Sequence, residues 1–152
     1  MKIIIAGAYA IGTHLARLLS RSKEDITLID DSEERLASIG SDYDLLTMLG
    51  QPTSLKILQN ADIQDADLFI AVTPLESKNI TSCILAKKLG AKRTVAKVDN
   101  PEYMDQQAQD FFRELGIDKL IYPEMGAPEM GCARWCPHHA GYQTARNLRN
   151  SQ

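Results

Sequence analysis

The sequence predicts a doubly wound α/β fold, in which six parallel strands form one sheet with helices on both faces. Two observations carry this prediction. Short apolar runs alternate with longer segments of helical periodicity up to about Pro123, and uninterrupted apolar runs are typical of parallel strands that are buried on both faces. The connections between these segments are short, as connections in such units are. Repeated alternation of strand and helix therefore predicts a parallel sheet.

The first unit, KIIIAGAYAIGTHLARLLS from Lys2, is predicted to be a strand, a glycine turn and a helix. The first turn of a helix leaves backbone N–H groups unpaired and carries a partial positive charge, so a phosphate group can bind there if the turn lets it approach. The pattern GxGxxG usually provides that approach. Here Gly7 and Gly12 are in place, and Tyr9 occupies the middle glycine position.

The second unit has an apolar strand over Ile26 to Ile29, which ends at Asp30 and Asp31. Asp31 and Glu34 have the spacing of a capping box for the helix EERLASI, and Gly40 is well placed to end that helix. The sequence therefore predicts that Asp31 caps this helix.

Two further strands and a short helix follow. Asp44 to Leu49 predict the third strand, which Gly50 and a proline close. Thr53 or Ser54 can cap the short helix after it. The apolar run Leu68 to Val72 predicts the fourth strand.

The last part of the alternation contains two helices and two strands. Glu76 to Leu89 predict a long helix that a glycine ends, and Thr94 to Val98 predict the fifth strand. Pro101 is expected to begin a helix that Gly116 ends, because proline is tolerated in a first turn and glycine after a last one. Leu120 to Tyr122 predict a short sixth strand.

Length and composition indicate one soluble globular domain, since the 152 residues are 44% apolar and 24% charged. The net charge of −3, together with the absence of a run of Lys or Arg, argues against nucleic acid as a partner. No apolar segment has the length needed to insert into a bilayer, and Met1 leads into a strand instead of a signal sequence. Three cysteines form no disulfide framework, so we expect a cytoplasmic protein.

The composition changes near residue 126. The motif PEMG occurs at Pro123 to Gly126 and again at Pro128 to Gly131, and the residues after it show neither helical nor strand periodicity. We therefore interpret residues 1–125 as the nucleotide-binding domain. Residues 126–152 are interpreted as an atypical tail that is either poorly ordered or not part of the natural domain.

The sequence offers little support for a metal site or for catalysis. Cys132, Cys136, His138 and His139 cluster in the tail, but they match no common spacing of zinc ligands. A dehydrogenase needs a general acid or base and usually a second domain. His14, which follows the glycine turn, is expected to face solvent. We therefore expect no metal and no enzymatic activity.

Candidate site residues follow from the rule that ligands of doubly wound sheets bind beyond the carboxyl ends of the strands. These residues are Gly7, Ala8, Tyr9, Ala10, Ile11 and Gly12 after the first strand, Asp30 after the second, Gln51, Pro52 and Thr53 after the third, Thr73 and Pro74 after the fourth, and Lys97 in the fifth. A carboxylate at position 30 accepts hydrogen bonds from both hydroxyls of an adenosine ribose and repels a 2′-phosphate. This favours NAD, or an adenine nucleotide such as ATP or ADP, over NADP.

Six blocks of sequence, spread in order from Met1 to about Met125, point to one family. They are MKIIIAGAYAIGTHLA, ITLIDDSEERL, DADLFIAVTPLESKNI, CILAKKLGAK, VAKVDNPEY and GIDKLIYPE. Together they resemble the N-terminal domain of the regulatory (RCK, or KTN) subunits of Trk and Ktr potassium-uptake systems. The resemblance implies a cytoplasmic ring of such domains. This ring would be attached to the inner membrane through its partner, a membrane-embedded potassium transporter. It also implies that NAD, NADH, ATP or ADP gates the transporter, without catalysis.

The resemblance also assigns roles to residues. It implies that Gly7 to Ile11 bind phosphates and that Asp30 binds the ribose. It places Gly50 to Thr53 near the adenine, and Thr73 and Pro74 along the cofactor. Lys97 stands where the family often has an arginine. The chain departs from the family pattern at Tyr9, at Gln51 and Pro52, and at Ser77, where a glutamate is common. These departures leave three alternatives: weakened affinity, a preference for a mononucleotide, or a site that no longer binds a ligand.

Two other functions are compatible with the sequence. One is a ligand-free module that only dimerises within the same ring, which the tyrosine at position 9 supports. The other, less favoured, is an NAD-dependent oxidoreductase. Apolar residues on two helices, Ile80, Ile84 and the segment Phe111 to Leu115, are candidate contacts with a second copy of the chain. Homo-oligomers are therefore expected.

Overall fold

The computed structural model describes residues 1–123. The predicted tail, residues 126–152, lies outside the described residues, and so do its cysteines and histidines. The described residues form one six-stranded sheet in the order β3-β2-β1-β4-β5-β6, and every adjacent pair of strands is parallel. The predicted fold class is confirmed.

Strands and helices alternate along the chain. The strands are β1 (Lys2–Ala6), β2 (Asp25–Asp30), β3 (Leu46–Leu49), β4 (Leu68–Ala71), β5 (Thr94–Lys97) and β6 (Lys119–Ile121). The α-helices are α1 (Ala10–Ser20), α2 (Glu33–Ser38), α3 (Leu55–Asn60), α4 (Glu76–Leu89) and α5 (Gln106–Leu115). Two short 3₁₀ helices, Ile63–Asp65 and Pro101–Met104, precede β4 and α5.

The core has two layers because successive side chains of a strand point to opposite faces of the sheet. Ile3 and Ile5 of β1 pack with residues of α1 and α2 on one face. Ile4 of the same strand packs on the other face with Phe69 and with residues of α3 and α4. Burial on both faces is the physical reason why β1 reads as an unbroken apolar run.

The strand order reverses direction beside β1, which pairs with β2 on one side and β4 on the other. The chain continues from β1 towards β2 and later crosses to β4, so the loops after β1 and β4 diverge. Such a point opens a crevice at the carboxyl ends of the strands, and this crevice is where doubly wound folds place their ligands. The candidate site is built at this crevice.

Two of the predicted helix starts need correction. The prediction that Asp31 caps α2 is wrong: the N-cap is Ser32, whose Oγ accepts a hydrogen bond from the N–H of Arg35 at 3.3 Å. Asp31 is instead engaged by the side chain of Arg35. The single helix predicted after Pro101 is a 3₁₀ turn followed by α5, since Asp105 has an extended backbone between the two. Ser54, one of the two proposed caps of α3, does cap it.

Within the range 1–123, no helix has the length and apolar character that crossing a membrane requires.

Candidate functional site

The glycine turn after β1 brings α1 directly against the sheet. Gly7 has φ +110°, and its N–H donates to the carbonyl of Ile29 at 2.8 Å. A Cβ atom at position 12 would lie 1.7 Å from the carbonyl oxygen of Gly7, so only glycine fits there. These two glycines set the distance between the turn and the helix. Tyr9 is the N-cap of α1 with an extended backbone, and its side chain makes no capping hydrogen bond.

Asp30, at the end of β2, joins the glycine turn to α2. The residue is only 3% exposed. Its Oδ1 accepts the N–H of Ala8 at 2.9 Å, and its Oδ2 accepts the N–H of Ser32 at 2.9 Å. The same Oδ2 accepts Nε of Arg35 at 2.8 Å. Both carboxylate oxygens therefore have protein partners, with one donor on Oδ1 and two on Oδ2, so a ribose hydroxyl that approaches Oδ2 meets the guanidinium group of Arg35.

Arg35 bridges three side chains at the mouth of the crevice. Besides its bond to Asp30, its Nη2 donates to Oδ1 of Asp31 at 2.6 Å. Its guanidinium carbon also lies 4.2 Å from the centroid of the Tyr9 ring, within the range of a cation–π contact. The Tyr9 ring thus lies on a guanidinium group and covers the start of the crevice.

The Asp31 carboxylate contacts side chains of α2, of the loop after β3 and of α4. Its Oδ2 accepts Nε2 of Gln51 at 2.9 Å and lies 3.8 Å from Nζ of Lys78 in α4. Burial of the Asp31 carboxyl group opposes ionisation, but the Gln51 hydrogen bond and the charges of Lys78 and Arg35 outweigh burial and lower its pKa. Asp31 is therefore a charged link between the loop after β2, the loop after β3 and the first turn of α4.

This link predicts a pH effect. Because the pKa of Asp31 is lowered on folding, the group contributes stability above its unfolded pKa of about 3.9 and loses that contribution as pH falls through the lower folded pKa. We expect an NMR titration to show that Gln51→Ala and Lys78→Ala each raise the pKa of Asp31. Lys88→Ala, at the far end of α4, is the matched control. If neither of the first two variants moved the pKa, this account of Asp31 would be wrong.

Thr73, after β4, is held by Asn79 of α4. Asn79 is 1% exposed, and its Oδ1 accepts both the N–H and the Oγ1 hydroxyl of Thr73, at 2.9 and 2.7 Å. Its Nδ2 donates to the carbonyls of Thr73 and Lys97. This amide fixes the ends of β4 and β5 against each other, so the floor of the crevice is rigid.

A cavity of about 90 Å³ lies between these loops. It is lined by Tyr9, Asp30, Asp31, Pro52, Thr73, Pro74, Leu75 and Lys78. Pockets for small-molecule ligands usually have volumes of about 300–1,000 Å³. The cavity is therefore smaller than a typical ligand pocket, and the Tyr9 ring forms part of the wall that limits it.

The structure brings five of the residues predicted for the site into the cavity wall. These are Tyr9, Asp30, Pro52, Thr73 and Pro74. Gly7, Ala8, Ala10, Ile11 and Gly12 form the adjoining turn and first turn of α1, and Gln51 contacts the wall through Asp31. Lys97 is not part of the wall, and its Nζ lies 3.3 Å from Oδ1 of Asp99. Its part in the nucleotide site stays a prediction.

Sequence reasoning missed Arg35, Lys78 and Asn79. Lys78 lies in the first turn of α4, where the helix dipole disfavours a cation, and such a misplaced charge is a usable signal. Arg35 lies four and five residues beyond two carboxylates, a spacing that permits an ion pair. The buried position of Asn79 could not be predicted from the sequence, because a polar residue in a helix is expected to face solvent.

Residues 3–123 match the family model of the TrkA-N domain. The Trk system potassium uptake protein TrkA homolog of Methanothermobacter thermautotrophicus is 35% identical over 127 residues, which are 84% of this chain and 56% of that protein. The Trk system potassium uptake protein TrkA of Haemophilus influenzae is 39% identical over 126 residues, 82% of this chain and 28% of that protein. The chain thus spans about half of the first relative and less of the second.

Two solved structures are similar in fold. The GsuK channel bound to NAD has a TM-score of 0.65 at 18% identity, covering 78% of this chain and 21% of that one. The AMP-bound form of the Kef CTD from Shewanella denitrificans has a TM-score of 0.62 at 19% identity, covering 99% and 95%. Both likenesses agree with the parallel sheet described above. The family model spans most of the described residues, as the resemblance of the six sequence blocks implied, and the chain therefore belongs to the TrkA-N domain family.

Proposed function

We propose that this chain is a regulatory domain that binds an adenine nucleotide and thereby controls a potassium-uptake transporter. NAD or NADH is the favoured ligand, with ATP or ADP as the alternative. The observation that carries the proposal is Asp30, a buried carboxylate held at the end of β2 by the N–H of Ala8, beside the first turn of α1. The potassium-uptake names of the relatives and the NAD and AMP of the two similar structures support it.

The geometry suits each part of such a ligand. The hydroxyl groups of a ribose at Asp30 would donate hydrogen bonds to the carboxylate, including Oδ2. The phosphate of the nucleotide would then lie towards the first turn of α1, where N–H groups have no intrahelical partner. The adenine would lie between Pro52 and the loop of Pro74 and Leu75, which supply apolar surface in the cavity wall. The proposed contacts thus come from the loops after β1, β2, β3 and β4.

The proposed control of the transporter is a shift between two arrangements of neighbouring domains. A ligand changes such an equilibrium only if it binds one arrangement more tightly than the other. Coupling of this kind is typically about 1–3 kcal/mol, which changes an equilibrium several-fold or more. The proposed partners are a second copy of the chain and a membrane transport subunit at the cytoplasmic face of the inner membrane.

Calorimetric titration of the full chain with NAD, NADH, ATP and ADP tests the proposal. We expect the parent chain to bind at least one of them and Tyr9→Gly to bind it about tenfold more tightly, a gain of about 1.4 kcal/mol, because the ring narrows the cavity. Tyr9→Phe is the matched control, since it keeps the ring and loses only the hydroxyl group.

The outcomes separate the alternatives. Binding by the parent identifies the ligand that the site recognises. If the parent chain binds none of the nucleotides and Tyr9→Gly binds one, the Tyr9 side chain blocks an otherwise intact site. No binding by either protein would contradict the proposed function.

The contact between Tyr9 and Arg35 favours a second candidate function, a module that assembles without a ligand, because the ring and the guanidinium group cover the crevice. Phe111, which is 57% exposed on α5, is the residue to test for assembly. If the module dimerises through α5, Phe111→Glu should give monomers by light scattering. Leu18→Glu on α1, which packs on the other face of the sheet, is the control. An unchanged mass for Phe111→Glu would contradict assembly through this surface.

A further inference from the structure

Of the three donors to Asp30, Arg35 is the one that can move away without a change in the backbone. The other two donors to this carboxylate are backbone N–H groups, of Ala8 in the glycine turn and of Ser32 at the start of α2, which cannot move without the chain itself. The Arg35 side chain is 33% exposed, and rotation about its own bonds frees Oδ2. A ribose whose two hydroxyls bind both oxygens of Asp30 therefore competes with this guanidinium group at Oδ2, which already accepts two donors.

A new anion would stabilise the displaced guanidinium group through charge-assisted hydrogen bonds. Arg35 keeps one contact to Asp31, but the Nε donor, which now lies 2.8 Å from Asp30, loses its acceptor. A donor left unpaired costs free energy, and a charged one costs more. A nucleoside without a phosphate offers no compensation, whereas a nucleotide brings an anion with it.

Arg35 lies against the side chain of the residue that precedes α1. Its guanidinium carbon lies 4.2 Å from the Tyr9 ring, and Tyr9 directly precedes the first residue of α1. A planar guanidinium group binds phosphate through two parallel hydrogen bonds, which is a better match than a single carboxylate oxygen can provide. A reorientation of Arg35 would thus exchange Asp30 for a phosphate bound at the start of α1.

We infer that Arg35 is a specificity-determining residue of the nucleotide site: it occupies Oδ2 of Asp30 until a ligand phosphate takes it over, so the site selects phosphorylated adenosines over adenosine. The inference rests on the proposed function, since it deepens the recognition at the same site. Arg35 acts as an internal competitor towards adenosine and as a ligand-binding group towards ADP. Its removal therefore has opposite effects on the two.

The test is calorimetric titration of the full chain with adenosine and with ADP, using the parent and Arg35→Gln. We expect ADP to bind the parent at least about tenfold more tightly than adenosine, the effect of one charge-assisted hydrogen-bonding group. Arg35→Gln should weaken the binding of ADP and strengthen the binding of adenosine. The ratio of the ADP affinity to the adenosine affinity should therefore fall at least about tenfold. Arg113→Gln, which removes an exposed arginine paired with Asp110 on α5, is the matched control and should leave the ratio unchanged.

A second measurement needs no variant. The Nε–H signal of Arg35 in the NMR spectrum of the parent should shift on addition of ADP and should shift differently with adenosine, because only ADP supplies a new acceptor. Circular dichroism establishes that Arg35→Gln is folded; if it is not, the Nε–H signal decides alone.

Two outcomes would overturn the inference in distinguishable ways. ADP binding with an unchanged affinity ratio in Arg35→Gln, or with an unmoved Arg35 Nε–H signal in the parent, overturns the role of Arg35 and leaves the proposed function standing. Failure of adenosine, ADP, NAD and ATP to bind the parent and Tyr9→Gly overturns both.

Discussion

Gly12→Ala is expected to destabilise the domain by at least about 3 kcal/mol, the upper range for overpacking, because two backbones meet at this position. The added Cβ would lie 1.7 Å from the carbonyl oxygen of Gly7 and 3.0 Å from its carbonyl carbon. No side-chain rotation relieves a clash with backbone atoms. The helix α1 would have to move away from β1, which would open the core layer that Ala16 and Ile5 share.

Urea denaturation of the full chain measures this loss, and Gly40→Ala is the matched control. Gly40 has φ +84°, but a Cβ there meets no atom within 4 Å, so its substitution costs only the backbone strain of about 1 kcal/mol. Equal losses for the two variants would show that close packing between Gly7 and Gly12 is not what makes position 12 critical.

Asp30→Ala is expected to cost about 2–4 kcal/mol of stability, because a buried backbone donor left without its acceptor costs about 1–3 kcal/mol and two such donors depend on this carboxylate. The substitution leaves the N–H groups of Ala8 and Ser32 without their acceptors and Arg35 without its ion pair. The glycine turn and the start of α2 would then lose the side chain that joins them. Thermal and urea unfolding both report the effect.

Asp31→Ala is the control, because this neighbouring carboxylate has the same charge but is partly exposed. Exposed ion pairs contribute only about 0–1 kcal/mol, so its loss should be several-fold smaller. A small loss for Asp30→Ala would mean that solvent satisfies the freed N–H groups and that the structural role assigned to Asp30 is wrong. Asp30 would then be free to serve a ligand alone.

How far the fold follows from sequence is clearest in β1 and α4. The unbroken apolar run Ile3 to Ala6 predicts a strand buried on both faces, which the structure confirms. The bounds predicted for α4, Glu76 to Leu89, agree with the observed ones, because a proline–leucine loop precedes the helix and Gly90 follows it. Both signals are local, since they depend on neighbours in the chain.

The start of α2 shows where local signals are insufficient. Asp31 and Ser32 are both good N-cap residues, so their sequence does not decide between them. The choice falls on Ser32 because Asp30, held by the N–H of Ala8, also accepts the N–H of Ser32. That first contact comes from a residue 22 positions earlier. A cap was predictable here, but its identity was not.

The sequence by itself determined the alternation of strands and helices, the glycine turn and the acidic end of β2, because each depends on residues within one turn or one strand. Only the tertiary structure decided that both oxygens of Asp30 have protein donors, that Arg35 lies between it and Tyr9, and that Asn79 is buried beneath Thr73. The physical reason is that these side chains acquire partners from elements which only the sheet brings together. A strand order that places β1 between β2 and β4 creates contacts that no short stretch of sequence contains.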